Sequence, residues 1–184
     1  MSAGGEKRVQ AQYVSTGDPR TVSDTEIRYP GQIGGYLTTA PKTPGGGDDC
    51  FRYVLLDSTM SVAPYDGAVA WWGDREAGKV TTAATSRGRR AGIFTRAHQV
   101  SGTTRTLACF IQTGGRKSVK MIDGITAQPT AAGLYVVPSA TAAKADTLAA
   151  GTAATYPALG VSAGTLDLGD STALVDLQIE DDLT

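Results

Sequence analysis

From Asp48 onward the chain alternates short apolar runs with turn residues, and the runs are strand-length rather than helix-length. "CFRYVLLDSTMSVA" from Cys50 alternates and then runs apolar, which predicts a strand. "GAVAWWG" from Gly67 and the β-branched "KVTTAAT" from Lys79 predict two more. A fourth is expected around 91–95. "RTLACFIQTGG" reads as a fifth, closed by Gly114-Gly115. "KSVKMIDG" reads as a sixth, with Val119 and Met121 to one side and Lys117 and Lys120 near the other. "GLYVVPSA", "PALGVSAG" and "TALVDLQIE" complete the series. Turn signals recur at the spacing of roughly 8–12 residues that suits a barrel or sandwich. A helix fits residues 140–151, where Ala, Lys and Leu favour it, and a Thr/Ala loop fits as well. The fold expected is therefore all-β: a compact β-barrel or sandwich over residues 48–184, with at most one short helix. Val54, Leu55, Ile93, Phe94, Phe110, Ile111, Val136 and Leu177 are the expected core.

Residues 1–47 have a different pattern. They are polar, carry Pro19, Pro30, Pro41 and Pro44, and end in Gly45-Gly46-Gly47; neither periodicity lasts. Such a segment buries too little apolar area to fold alone. Its apolar residues are spaced as anchors, among them Tyr13, Tyr29 and Tyr36. The segment is expected to be an extended arm, ordered by lying on its own domain or on a neighbour's; a disordered terminus is the alternative.

Charge adds an asymmetry. The 184 residues carry a net charge of −1. Residues 1–122 hold 16 basic and 10 acidic side chains (+6), and residues 123–184 hold 1 and 8 (−7). A nucleic-acid-binding domain is usually basic overall, whereas the isoelectric point here is about 5.8. Complementary patches meeting between neighbouring copies fit at least as well. No apolar leader opens the chain and no window approaches the roughly 18 apolar residues of a membrane helix. A soluble protein made in a cytoplasm, with no membrane partner, is expected. Cys50 and Cys109 are expected to be two unbridged thiols.

Candidate chemistry is sparse. "GDREAGKV" from Gly73 approaches a phosphate-binding loop, but Val80 stands where the Mg²⁺-binding hydroxyl belongs. A strand-like run follows it instead of a helix, so a charged hairpin loop is the better reading. His98 is the only histidine. No nucleophile elbow accompanies it and no ligand spacing links it to the cysteines, so a surface or interface histidine is expected. The paired acids Asp48-Asp49 and Asp181-Asp182 read as solvated. No cofactor or metal and no enzymatic activity are expected. Trp71 and Trp72 are neighbours on a strand, so one indole should enter the core and the other should face solvent, the arm or a partner. "SRGRRAG" from Ser86 is the sharpest basic cluster. Contact with an acidic protein patch, a solvated loop and phosphate contact all remain open for it.

The order of "GAVAWWGD", "VTT", "AGIF" and "FIQTGG" followed by Val119, over residues 67–119, resembles the capsid decoration, or cement, proteins of tailed bacteriophages. "LGVSAG" and "ALVDLQI" resemble their closing strands. The long N-terminal region and the basic content, including Arg116-Lys117, depart from that pattern. The resemblance implies a β-rich knob on the outer surface of an icosahedral head. Such a protein binds the major capsid protein, associates with itself as a trimer or dimer, and staples the shell against DNA pressure. It carries no catalytic residues. Tyr13, Tyr29 and Tyr36 are then candidate arm anchors, and Trp71, Arg87, Arg89, Arg90, Arg116 and Lys117 candidate partner contacts. The rival expectation is a tail, baseplate or carbohydrate-binding β-module for host attachment.

Overall fold

The computed structural model describes residues 19–20, 23–24, 33–39, 47–60, 62–103, 105–122, 131–148, 154–165, 167 and 169–179. The chain is all-β. Its strands are β1 (Ser23–Asp24), β2 (Tyr36–Thr39), β3 (Asp49–Leu56), β4 (Val69–Asp74), β5 (Lys79–Thr81), β6 (Arg90–Phe94), β7 (Ala108–Lys120), β8 (Tyr135–Pro138), β9 (Ala145–Thr147), β10 (Gly160–Ser162) and β11 (Thr172–Gln178). A single 3-10 turn, Ala84–Ser86, is the only helical element among the described residues. The helix weighed for residues 140–151 is absent from 140–148. Ala145–Thr147 pairs with Val136–Pro138 instead, and the Ser139 hydroxyl holds the turn before it by accepting from the Thr141 N–H at 2.9 Å. Cross-strand pairing outweighs the small helical preference of Ala and Lys.

Five strands close into a mixed barrel in the order β3-β5-β4-β6-β7, with β7 returning to β3. Only the β3–β5 contact is parallel (Leu55 opposite Lys79). Register shifts at Cys50/Phe51, Ala70/Trp71 and Trp72/Asp74 supply the extra twist that so small a barrel needs. The β4–β5 connection is the charged hairpin expected in place of a nucleotide loop. Asp74 accepts from the Ala77 N–H at 3.0 Å, and Gly78 takes the positive φ the turn requires.

β7 corrects the two strands expected around the glycine pair. It runs unbroken for 13 residues. Its first half pairs with β3, and its second half, from Gly114, pairs with β11. Gly115 has φ +82°, and a Cβ there would stand 2.9 Å from the Asp49 Cα. The glycines therefore bend one strand out of the barrel and into a second sheet, β7-β11-β10-β8-β9. That sheet curls back until Met121, just past β7, bridges Ala145 of β9.

The packing forms three clusters. Inside the barrel lie Val54, Leu56, Trp72, Val80, Phe94, Cys109 and Ile111. Ala143, at the β8–β9 turn with φ +63°, joins them. Between the outer surface of β4 and β6 and the second sheet lie Val69, Trp71 and Ile93 against Val119, Val136, Leu159, Val175 and Leu177. On the outer surface of β3 and β7 lie Phe51, Tyr53, Ala108 and Phe110, against which Leu37 and Ile33 of the N-terminal region pack. The expected core residues are buried, with Leu55 half-buried against this third cluster. Burial of each large apolar side chain contributes about 1.5–3 kcal/mol.

The described parts of residues 1–47 are short strands laid on their own barrel. β2 continues the sheet beside β3 (Leu37 opposite Phe51). β1 occupies the edge of β7 at Ala108–Cys109, beyond the point where β6 stops pairing at Ile111.

Candidate functional site

Trp71 and Trp72 do take opposite faces, but both are buried. Trp72 points into the barrel and Trp71 into the layer beneath the second sheet. The expectation that one indole would meet solvent, the arm or a partner is thus corrected. A second sheet, invisible as such in the local pattern, covers the outer face of β4. The Trp71 indole N–H finds no acceptor among the described residues, an unmade bond inside an apolar layer.

The basic stretch is largely bound within the chain. The Arg87 Nε donates to the Tyr156 hydroxyl at 3.0 Å, and its guanidinium lies 5.1 Å from that ring's centroid. Arg90 donates to the Ala158 carbonyl. Both thereby clamp the 156–158 segment, and only Arg89 of the three is exposed. Arg116 forms a two-pronged pair with Asp176, directly opposite on β11, at 2.6 and 2.9 Å. The hydrogen bond to Arg116 holds the Asp176 carboxyl below its usual range, and the Arg116 guanidinium is correspondingly raised. Lys117 pairs with Asp66 and shares the inner face with Val119, because its opposite residue, Val175, points inward. The two charge blocks of the sequence therefore meet, at Arg116–Asp176, inside one molecule. Tyr36 stacks on Arg52, ring centroid to Cζ 4.1 Å, and Arg52 lies 5.2 Å from the Trp72 ring at the barrel end. The surface Tyr36 contacts is thus its own barrel. Tyr13 and Tyr29 lie outside the described residues, as do Asp181 and Asp182.

His98 is buried, not at the surface. Its ring lies 5.7 Å from Phe94, its backbone N–H donates to the Pro64 carbonyl at 3.0 Å, and burial, with Arg96 adding to it, pushes its pKa down to about 4. Cys50 and Cys109 form no disulfide: their register partners are Gly114 and Val54, well apart along the β3–β7 pair. No group of three His, Cys, Asp or Glu side chains is placed to hold a metal among the described residues.

Among the described residues, what remains open is the outer face of the second sheet. Register sets a row straight across it: Arg116 on β7, Asp176 on β11, Val161 on β10 and Tyr135 on β8. Val137, two residues along β8, and Leu174, two along β11, point the same way. Tyr135 is 57% exposed, the one large apolar side chain exposed among the described residues. Asp146 stands opposite Val137 at the margin, its carboxyl raised by burial and accepting from the Thr147 N–H at 2.7 Å. The face is apolar at Tyr135, Val161 and Val137 and charged at Arg116, Asp176 and Asp146, an arrangement that suits adhesion to a partner. The sequence does hold a trace of it. "LYVVP" is apolar at consecutive positions, so both faces of that strand present apolar groups, and only one can face the core.

No protein-family model matches the chain, and no curated protein or solved structure matches it significantly.

Proposed function

We propose that this protein is a structural cement protein of a tailed-phage head. In this reading it binds the outer surface of the capsid, bridges adjacent major capsid protein subunits and performs no chemistry. The observation that carries the reading is the Tyr135 face. Trp71 is buried, and Arg87, Arg90, Arg116 and Lys117 are committed to partners within the chain. Tyr135 is exposed, and Val161, Val137 and Leu174 are half-buried on the same outer face, which supports reading that face as the contact surface. Aromatic anchors on rigid elements suit such a task, since little entropy is lost when they are covered. A lattice adds avidity: copies associated as a trimer or dimer reach far higher occupancy from the same modest contact. The residues that carry the family resemblance, 67–119, include β4 to β7, four of the five barrel strands. In this reading the barrel is the common body and the second sheet the surface that selects its coat partner.

The test is to mix purified protein with undecorated expanded heads and image them. Ordered, stoichiometric density on the outer shell is the expected result, with occupancy lost for Tyr135→Ser. Absence of density for the native protein overturns the proposal. An exposed tyrosine also suits sugar stacking, so a glycan array separates the host-attachment reading: a cement protein gives no signal on it.

A further inference from the structure

The described pieces of the N-terminal region are not held evenly. Arg20 concentrates the attachment. Its guanidinium pairs with Asp49, whose side chain is buried, donates to the Thr39 hydroxyl at 3.2 Å and lies 5.0 Å from the Phe51 ring centroid. Its carbonyl accepts from the Thr95 hydroxyl at 3.1 Å. Three residues on, β1 adds only two residues to the edge of β7. So short a strand contributes little ordering by itself. The Phe51 ring beneath the guanidinium belongs to the cluster with Tyr53 and Phe110 on the outside of the barrel. Asp49 also accepts from the Gln112 amide at 3.2 Å, an interaction between two barrel strands, β3 and β7.

We propose that Arg20 is a latch: one guanidinium keys Pro19–Arg20 and the adjoining β1 onto the outside of the barrel, and its release undocks them while the barrel stays folded. The barrel closes through β3, β4, β5, β6 and β7, none of which belongs to the latched segment. The described residues of its interior cluster all lie between Val54 and Ala143. When the latch opens, Gln112 still serves Asp49, so the carboxylate retains a hydrogen bond within the barrel. A pair with one deeply buried partner suits this role, because breaking it from one side costs far more than breaking a surface pair.

The experiment uses the full chain. Native protein, Arg20→Met and Arg20→Lys are exposed to a broad-specificity protease. Cleavage N-terminal to Ile33 and alkylation at Cys109 are both read by mass spectrometry. Cys109 lies inside the barrel and reports its opening. The expected result is arm cleavage at least tenfold faster in Arg20→Met, a smaller increase in Arg20→Lys, which keeps the charge and loses the planar fork, and unchanged alkylation of Cys109. Arm cleavage at the native rate in Arg20→Met overturns the proposal. So does faster cleavage accompanied by a matching rise in Cys109 alkylation, which would make arm and barrel one unit. A failure of the protein to decorate phage heads leaves these readouts unaffected, so the two proposals fail separately.

Discussion

The barrel and the second sheet are built from the same kinds of strand, yet they are buried differently. The barrel walls are covered on both sides: inside by the Val54–Trp72–Phe94–Ile111 cluster, and outside by Leu37 over β3 and β7 and by the second sheet over β4 and β6. Among the described residues the second sheet is covered on its inner face, and its outer face leaves Tyr135 exposed. An apolar residue on a barrel strand is thus explained by packing whichever way it points. An apolar residue on the outer face of the second sheet is not explained by packing, and that is where function is best sought. β7 is the seam between the two, and Gly115 is what lets one strand serve both.

The largest effect should come from cutting the layer that joins them. Trp71→Ala is expected to cost about 3–5 kcal/mol, with denaturant unfolding remaining a single transition because β7 and the shared cluster couple the two parts. Two separated transitions would show that barrel and sheet are independent units. Trp71→Phe should cost much less, since it keeps most of the packing and removes the N–H that finds no acceptor.

Next comes acid. Burial holds the His98 pKa at about 4 in the folded state, against 6.5 for a solvated histidine in the unfolded chain. The stability tied to its neutral form is complete above pH 6.5, where both states are uncharged. It declines as pH falls from 6.5 toward 4, because the unfolded chain takes up the proton first, and the loss is complete below that. The total is on the order of 3 kcal/mol, measured as unfolding free energy against pH. His98→Asn should flatten that segment of the curve. An unchanged slope would mean that His98 is not the group responsible. The site lies at the barrel, so the second sheet should lose its order only together with it.

Smaller effects belong to the open face. The coupling between Arg116 and Asp176 in a double-mutant cycle should be weak and should shrink further in 1 M salt, as for a solvent-exposed pair. A coupling insensitive to salt would mean that something covers this face in solution. Tyr135→Ser should change stability by no more than about 0.5 kcal/mol. A larger loss would make Tyr135 part of the core and remove it as a contact residue.

Much of the barrel was legible in the chain. Alternation and β-branching marked β3 to β6, β8, β10 and β11 because each keeps a consistent inner face. β1, β2 and β9 were missed. They are two to four residues long and owe their strand conformation to a neighbour's edge rather than to any periodicity of their own. The site was less legible. Arg87, Arg90, Arg116 and Lys117 stood out as a run of charge, but a run does not say which acid or carbonyl will lie opposite. Tyr156, Asp176 and Asp66, which take up three of them, are distant in sequence. Tyr135 carries a usable signal in "LYVVP", where consecutive apolar positions leave one face without a core to enter.

By itself the sequence determined the all-β class, the strand-sized apolar runs, the hairpin at Gly73 to Val80 and most of the core. Those follow from side-chain alternation and turn chemistry, which act over a few residues. Tertiary structure alone decided that the glycine pair bends one strand through two sheets, that both tryptophans are covered, that the opposite charge blocks meet within one molecule and that Tyr135 is left outside. Each of these depends on which distant strand comes to lie alongside, and pairing at long range is set by the closure of the whole barrel rather than by any local stretch.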